Sequence, residues 1–237
     1  MNKKLFFLLN ISFLCLLSNA QQEEEMPKGD EWRKKAFNYI YHKKHWWDGE
    51  SFSGPGSSLA VTSTLRLLLP SIVKAIGAQS MLDAGCGDFN WMKELDLELD
   101  LYIGVDIVPA LIKHNRAEHG QEGRVFFCLD VVKDPLPQVD VILCRDCLAH
   151  LSYEDIDDAL RNFKRSGAKY LLASDFPHMK KNDAPMKTGD FRPVNLRVAP
   201  YLFPEPIMSF SELDAEYKMK RWGKRLSLWL LDDIVLD

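Results

Sequence analysis

Short apolar runs alternate along this chain with segments whose apolar residues recur at every third or fourth position. The runs lie near 80–83, 101–106, 124–129, 139–144 and 168–174 and predict strands. Val61, Leu65, Leu68, Ile72 and Ile76 predict a helix stopped by Gly77, interrupted at Pro70 and capped at Ser57 or Ser58. Pro109 is placed to open a helix after the second run. Ser152-Tyr153-Glu154-Asp155 resembles a capping box, with Ile156, Leu160 and Phe163 as the buried stripe of the next helix. Upstream, Glu31 to Lys44 reads as a helix carrying Trp32, Phe37, Tyr39 and Tyr41. His45-Trp46-Trp47 and a turn-rich stretch, Ser51 to Ser58, come next. The alternation implies an α/β protein: a parallel sheet with helices on both faces. Residues 175–210 break the rhythm, being rich in proline and polar residues, and read as a lid. Glu216 to Leu231 predicts a hairpin turning at Trp222-Gly223-Lys224. No internal repeat is visible.

The first thirty residues obey another logic. Asn2-Lys3-Lys4 is basic, and Leu5 to Leu17 is apolar except for Asn10 and Ser12. Ser18-Asn19-Ala20 puts small residues where a signal peptidase reads. Residues 1–20 are therefore expected to be a secretory signal peptide, with an uncleaved membrane anchor as the alternative. The apolar run is short for a comfortable membrane span. Cys15 lies inside that run, away from a cleavage boundary, which argues against a lipoprotein. Residues 21–30 are polar and acidic and read as a disordered lead-in. The expected destination is the secretory route, with membrane contact only through the leader.

After such a leader, a chain of 237 residues fits one domain, here 31–237. Hydrophobic residues at 46% and charged residues at 27% are ordinary for a globular protein. A net charge of -4 and the lack of long basic runs argue against a nucleic-acid surface. Arg33-Lys34-Lys35 with Lys43-Lys44 reads as a solvated helix face. Cys86, Cys128, Cys144 and Cys147 form no paired C-x-x-C set for zinc. They read as small buried apolar residues, a pattern without a disulfide framework that fits awkwardly with export.

Candidate chemistry concentrates at Met81-Leu82-Asp83-Ala84-Gly85-Cys86-Gly87-Asp88-Phe89-Asn90-Trp91. A strand runs into a turn where Gly85 and Gly87 let the main chain approach a ligand. The next strand, Leu101-Tyr102-Ile103-Gly104-Val105-Asp106, ends in a carboxylate placed to accept from ribose hydroxyls. A dinucleotide fingerprint wants a third glycine where Asn90 stands, and Asp88 would repel phosphates. The same carboxylate suits a ligand with a cationic amino-acid end. These features favour S-adenosylmethionine and disfavour a nicotinamide-dependent oxidoreductase.

On these residues the chain, from about Ser53 to its C-terminus, resembles the class I S-adenosylmethionine-dependent methyltransferases. Asp83-Ala84-Gly85-Cys86-Gly87-Asp88 is similar to that family's first motif, and Gly104-Val105-Asp106-Ile107 to its second. Asp130, with Val131 behind it, resembles the acidic residue that meets the adenine amino group. The run from Val139 through Cys144 and Arg145 to Asp146 resembles the fourth strand and its active-site end. The closing hairpin is similar to the family's reversed last strand. The resemblance implies a Rossmann-like doubly wound seven-stranded sheet in the order 3-2-1-4-5-7-6, with the last strand antiparallel. Gly-Asp-Phe-Asn-Trp and Cys-Arg-Asp-Cys-Leu-Ala-His-Leu are similar to a small, poorly assigned methyltransferase group.

The implied reaction is methyl transfer to a hydroxyl or amine of a small molecule or glycan. The protein positions the acceptor, excludes water and removes a proton. His150 is the candidate base; Asp146, four residues before it, would share its face if the segment were helical and so orient the imidazole. Asp146 and Asp175 flanking one cleft would suit Mg²⁺ in enzymes like catechol O-methyltransferase. Those enzymes carry an amide where Phe176 stands here, so no metal is expected. Ser53-Gly54-Pro55-Gly56-Ser57 is placed to fold over the cofactor's amino-acid end. Thr188, Arg192, Asn195 and Arg197 face either acceptor or solvent, and Trp46 and Trp47 either stack on a substrate ring or pack in the core. A non-catalytic S-adenosylmethionine-binding protein and a protein methyltransferase are the alternatives.

Overall fold

The computed structural model describes residues 30–182, 186–211 and 222–236. The chain divides into two units, Met1–Trp32 and Arg33–Asp237. The stretch expected to be a leader, and the expected lead-in up to residue 29, lie outside the described residues. Among the described residues, no helix is long and apolar enough to cross a membrane. The sheet and the cavity belong to the second unit, from Arg33 onward.

The apolar runs become five parallel strands: β1 (Ser80–Ala84), β2 (Leu101–Asp106), β3 (Arg124–Cys128), β4 (Val141–Cys144) and β5 (Tyr170–Asp175). Two more complete the sheet, β6 (Met208–Ser211) and β7 (Arg225–Leu230), in the order β3-β2-β1-β4-β5-β7-β6. β7 is antiparallel to both β5 and β6. Because the first five strands are parallel, their carboxyl ends reach one edge of the sheet. The loops after β1, β2, β3 and β4 therefore cluster there, where open α/β sheets hold ligands.

Side chains alternate across the strands, as the pleat requires. Leu82, Ile103, Ile142 and Leu171 face one core with Ile156, Leu160 and Phe163 of the helix Tyr153–Arg165. Met81, Tyr102, Leu143 and Leu172 face the other core with Leu65, Leu69 and Val73 of the helix Ser63–Ala75. We label the helices α1 (Asp30–His42), α2 (Ser63–Ala75), α3 (Pro109–His119) and α4 (Tyr153–Arg165). Ser152 caps α4 as expected: its hydroxyl accepts from the Asp155 N–H at 3.1 Å. Phe163 is fully buried, so truncating it to alanine would cost about 3–5 kcal/mol.

Three expectations need correction. α2 begins at Ser63, not at Ser57 or Ser58, because Pro55–Ser57 forms a separate short 3₁₀ turn. Its buried stripe is Leu65, Leu69, Ile72 and Val73; Leu68 is 37% exposed. The helix continues through Pro70. Second, β7 pairs with Met208–Ser211, so its partner lies within the stretch read as a lid. The first part of the expected hairpin falls at 212–221, outside the described residues.

Third, the expected lid is sewn to the body. Phe176, Val194, Leu196, Tyr201 and Phe203 are buried. The N–H of Phe176 donates to Val194 O at 3.1 Å, and that of Phe203 to Leu196 O at 2.9 Å. Asn182 and Asn195 cross-link the segment: the Asn182 amide donates to Asn195 O at 2.8 Å, and the Asn195 N–H donates back to Asn182 Oδ1 at 3.0 Å. Buried apolar residues spaced irregularly along a loop leave no periodic trace in the sequence.

Candidate active site

The turn after β1 is shaped by its glycines. The N–H groups of Gly85 and Cys86 both donate to Val105 O at 2.9 Å, which folds the turn back onto β2. Gly87 adopts φ +56°, and a Cβ there would lie 1.9 Å from Ser53 Oγ. Only glycine allows the Ser51–Ser53 loop to close so tightly on this turn.

Asp106 stands opposite, at the end of β2. Gly87 N–H donates to one of its oxygens at 3.1 Å and Val108 N–H to the other at 2.9 Å. The carboxylate is thereby fixed in rotation, and each oxygen keeps a lone pair for a further donor. Burial pushes its pKa up to about 6 against those two N–H donors. Asp83 accepts from the Tyr102 hydroxyl at 2.5 Å; burial pushes it up to about 7, the hydroxyl opposing and Asp106 adding to the shift.

These groups open onto one cavity of about 1100 Å³, counting its mouth. Asp83, Gly85, Cys86, Gly87, Asp88, Asp106, Ile107, Asp130, Val131 and Arg145 all line it, together with Asp146 and His150. Val108, Leu111, Leu129 and Val132 add an apolar slot beside Asp106 that spacing alone does not reveal.

Two expected cofactor residues are not on its wall. Asn90 turns its amide toward the preceding loop, donating to Glu50 Oε1 at 2.7 Å and to Ser57 O at 3.2 Å, so it fastens that loop. Cys144 is a core residue of β4. The four cysteines among the described residues are free thiols; Cys86 and Cys144 are buried as expected, whereas Cys128 and Cys147 are only partly buried.

Several side chains reach the site with their bonding already committed. Asp88 accepts from the Phe52 N–H at 2.6 Å and from the hydroxyls of Ser51 and Ser53 at 3.0 and 3.2 Å. Its carboxylate therefore organises the Ser51–Ser57 strap as well as facing the cavity. Asp130 accepts from Arg33 Nε at 2.9 Å and from the Val132 N–H at 3.0 Å. Arg33 also reaches Asp155 at 2.6 Å. Of the basic run read as a solvated face, Lys34 and Lys35 are exposed, but Arg33 is buried between two carboxylates. A lone inward residue within a charged run has no sequence signal beyond its place on the helix.

His150 and Asp146 do not form the expected pair. Asp146 adopts φ +55°, outside any helix, so the two do not share a helix face. Its carboxylate pairs with Lys224 and lies 3.4 Å from Arg145. Burial alone would raise this carboxyl, but Lys224 and Arg145 hold it well below the usual range. The partner of His150 is instead the carbonyl oxygen of Asp190, 2.6 Å from Nδ1. The segment around Asp190 is aligned by backbone bonds, Gly189 N–H to His150 O at 2.8 Å and Arg192 N–H to Ala149 O at 3.0 Å. A carbonyl only accepts, so Nδ1 carries the proton and the neutral ring has its lone pair on Nε2. Burial pushes the imidazole pKa down, with the Asp190 carbonyl and Asp146 opposing. Trp46 lies against the ring, 4.4 Å between centroids.

The remaining candidates are structural. Asp175 is fully buried away from the cavity wall, accepting from the Leu196 N–H at 3.0 Å and pairing with Arg197 at 3.3 Å. Thr188 donates to Asp155 at 2.7 Å, and Arg192 donates to Leu151 O at 3.0 Å with its guanidinium 3.7 Å from the centre of the Tyr153 ring. Asn195 and Arg197 brace the segment after β5, and none of these four side chains is on the cavity lining. Trp47 packs on Phe52 and is 40% exposed. Among the described residues, no group of three or more His, Cys, Asp or Glu is arranged to hold a metal.

Comparisons with known proteins agree with this geometry. Residues 82–168 match the model of a methyltransferase domain. No curated protein matches the chain. The methyltransferase domain of bacterial CtHen1-C is 13% identical, with 72% of this chain and 98% of that one covered at a TM-score of 0.54. Magnesium protoporphyrin IX methyltransferase from Synechocystis PCC 6803, with bound SAM, is 15% identical, with 85% and 98% covered at a TM-score of 0.53. These structures share the fold seen here. Over residues 82–168 this chain is similar to a methyltransferase domain, and its sheet has the fold of these two methyltransferase structures.

Proposed function

We propose that this protein transfers a methyl group from S-adenosylmethionine to a hydroxyl or amine of a small molecule or glycan. The observation that carries the reading is Asp106: a carboxylate fixed by two backbone N–H groups, with acceptor capacity left over, beside a glycine turn that keeps the main chain bare. That arrangement fits a ribose bearing two hydroxyls. The apolar slot of Val108, Leu111, Leu129 and Val132 fits an adenine face. Asp83 and Asp88 supply negative charge for an ammonium and a sulfonium.

Held by Asp106, Asp83, Asp88 and the apolar slot, the cofactor would supply a methyl group activated for displacement by the positive charge on its sulfur. The chain's own residues do the rest. The strap Ser51–Ser57, held by Asp88, Asn90 and Arg145, encloses the cavity and excludes water. His150, neutral with its lone pair on Nε2, takes the acceptor's proton.

The test is product identification. The full chain, incubated with S-adenosylmethionine labelled in the methyl group and a fractionated extract, should transfer the label to one class of small molecule or glycan. Label found only on protein would replace this reading with a protein methyltransferase, and binding without any transfer would replace it with a non-catalytic binder.

A further inference from the structure

We infer that the acceptor is a neutral aromatic alcohol, a phenol, stacked on an aromatic wall of which Trp46 is the specificity-determining residue. This rests on the methyl-transfer reading and narrows it. The cavity has two chemically different walls. One carries the glycine turn, the carboxylates and the apolar slot. The other is built from Phe37, Tyr41, Trp46 and Phe52, supplied by α1 and the loop after it. These rings are half-buried and stand in contact, Phe37 with Trp46 at 6.0 Å edge-on and Tyr41 with Phe52 at 5.2 Å. Trp46 joins this wall to His150. A flat ring stacked there would bring its hydroxyl to the side of the cavity where the proton acceptor stands.

Charge excludes the main rivals. The lining holds two guanidiniums, and both are matched. Arg33 is bound by Asp130 and Asp155, and Arg145 by Gly56 O at 2.8 Å and by Asp146. An anionic acceptor, a carboxylate or a phosphate, would meet carboxylates without a cation to balance it. An ammonium acceptor fares no better: it would have to compete with the cofactor's own cationic groups for Asp83 and Asp88, while Asp130 and Asp146 are paired with Arg33 and Lys224. A sugar asks for several directional hydrogen bonds around its ring, and this wall consists mainly of aromatic side chains with few polar groups.

The experiment uses the full chain with S-adenosylmethionine and four acceptor sets: neutral phenols, phenolic acids, methyl glycosides and primary amines. Methyl transfer is read by mass spectrometry and cofactor affinity by calorimetry. Neutral phenols should be methylated best. Trp46→Ala should raise KM for the phenol about 10-fold, with little change in kcat or cofactor affinity, and Trp46→Phe should recover most of that loss. Preference for glycosides, acids or amines overturns the inference, as does no transfer to any phenol. Equal KM in Trp46→Ala overturns the role of Trp46. A wild-type chain that binds no cofactor fails the underlying reading instead, so the two failures are told apart. If Trp46→Ala does not fold, Trp46→Phe against Trp46→Leu gives the same KM comparison.

Discussion

The Nδ1 of His150 lies 2.6 Å from the carbonyl oxygen of Asp190, which leaves the lone pair of the neutral imidazole on Nε2. An aspartate partner would hold the ring as an imidazolium more readily; a carbonyl orients it without adding a full charge. Buried beside such an acceptor, His150 loses its proton more easily than a free histidine. His150→Ala should therefore lower kcat by about 100-fold or more while cofactor affinity stays unchanged. The wild-type kcat/KM should rise with pH through a pKa below 6.5 and then level, because the neutral form is the active one. The variant should lose that limb of the profile. Unchanged turnover in His150→Ala would remove it as the base.

Asp106→Ala removes the acceptor expected to hold the ribose and also frees the N–H groups of Gly87 and Val108. Hydrogen bonds to a charged acceptor are worth about 1.5–3 kcal/mol, so the cofactor Kd should rise about 10- to 100-fold. Titration calorimetry against wild type checks this. An unchanged Kd would mean that the ligand does not touch Asp106.

Cofactor binding should also release protons. Asp83 and Asp106 are pushed up to about 7 and about 6, so the empty site is partly protonated at neutral and mildly acid pH. A cation settling beside a carboxylate, or hydroxyls donating to one, favours its ionised form. Ionised carboxylates predominate as pH rises, so affinity should increase across the window from about 5 to 8, by at most about tenfold per unit for each proton released. Calorimetry in buffers of different ionisation enthalpy counts those protons. Tighter binding at acid pH would contradict the placement of the cationic end near Asp83.

Arg33→Met leaves Asp130 and Asp155 buried without their shared cation. Breaking one side of such a network costs about 3–5 kcal/mol, which for a domain of this size lowers Tm by about 6–20 °C. Thermal unfolding with and without the substitution checks it. A shift within scatter would show that the pair contributes specificity of docking but not stability.

Gly87→Ala places a methyl on Ser53 Oγ and strains a backbone at φ +56°. The Ser51–Ser57 strap must then lift from the turn. Cofactor affinity should fall and proteolysis should become faster within 51–57; a variant with native affinity would show that the strap is not part of the binding site.

The sheet is legible in the sequence because its strands are short apolar runs, with Gly85, Asp106 and Asp130 marking their carboxyl ends. Ten of the twelve residues expected to meet the cofactor line one cavity at those strand ends. The features that escape it depend on contacts between distant segments. The partner of His150 is a backbone carbonyl, which every residue has, so no pattern marks Asp190. Arg33 hides in a basic run, and the segment 176–207 buries Phe176, Val194, Leu196 and Tyr201 without periodicity. β6 leaves no apolar run because Met208–Ser211 is half polar, as befits an edge strand. The motif position of Asn90 suggests a ligand group, whereas its amide serves the strap.

The central claim is that the cavity between the ends of β1 and β2 holds S-adenosylmethionine. Titrating the full chain with that compound, and then with adenosylhomocysteine as competitor, tests it most directly. Saturable binding at a single site, displaced by adenosylhomocysteine and not by NAD, is the result expected here. Absence of saturation at millimolar S-adenosylmethionine, with the protein folded, would contradict it.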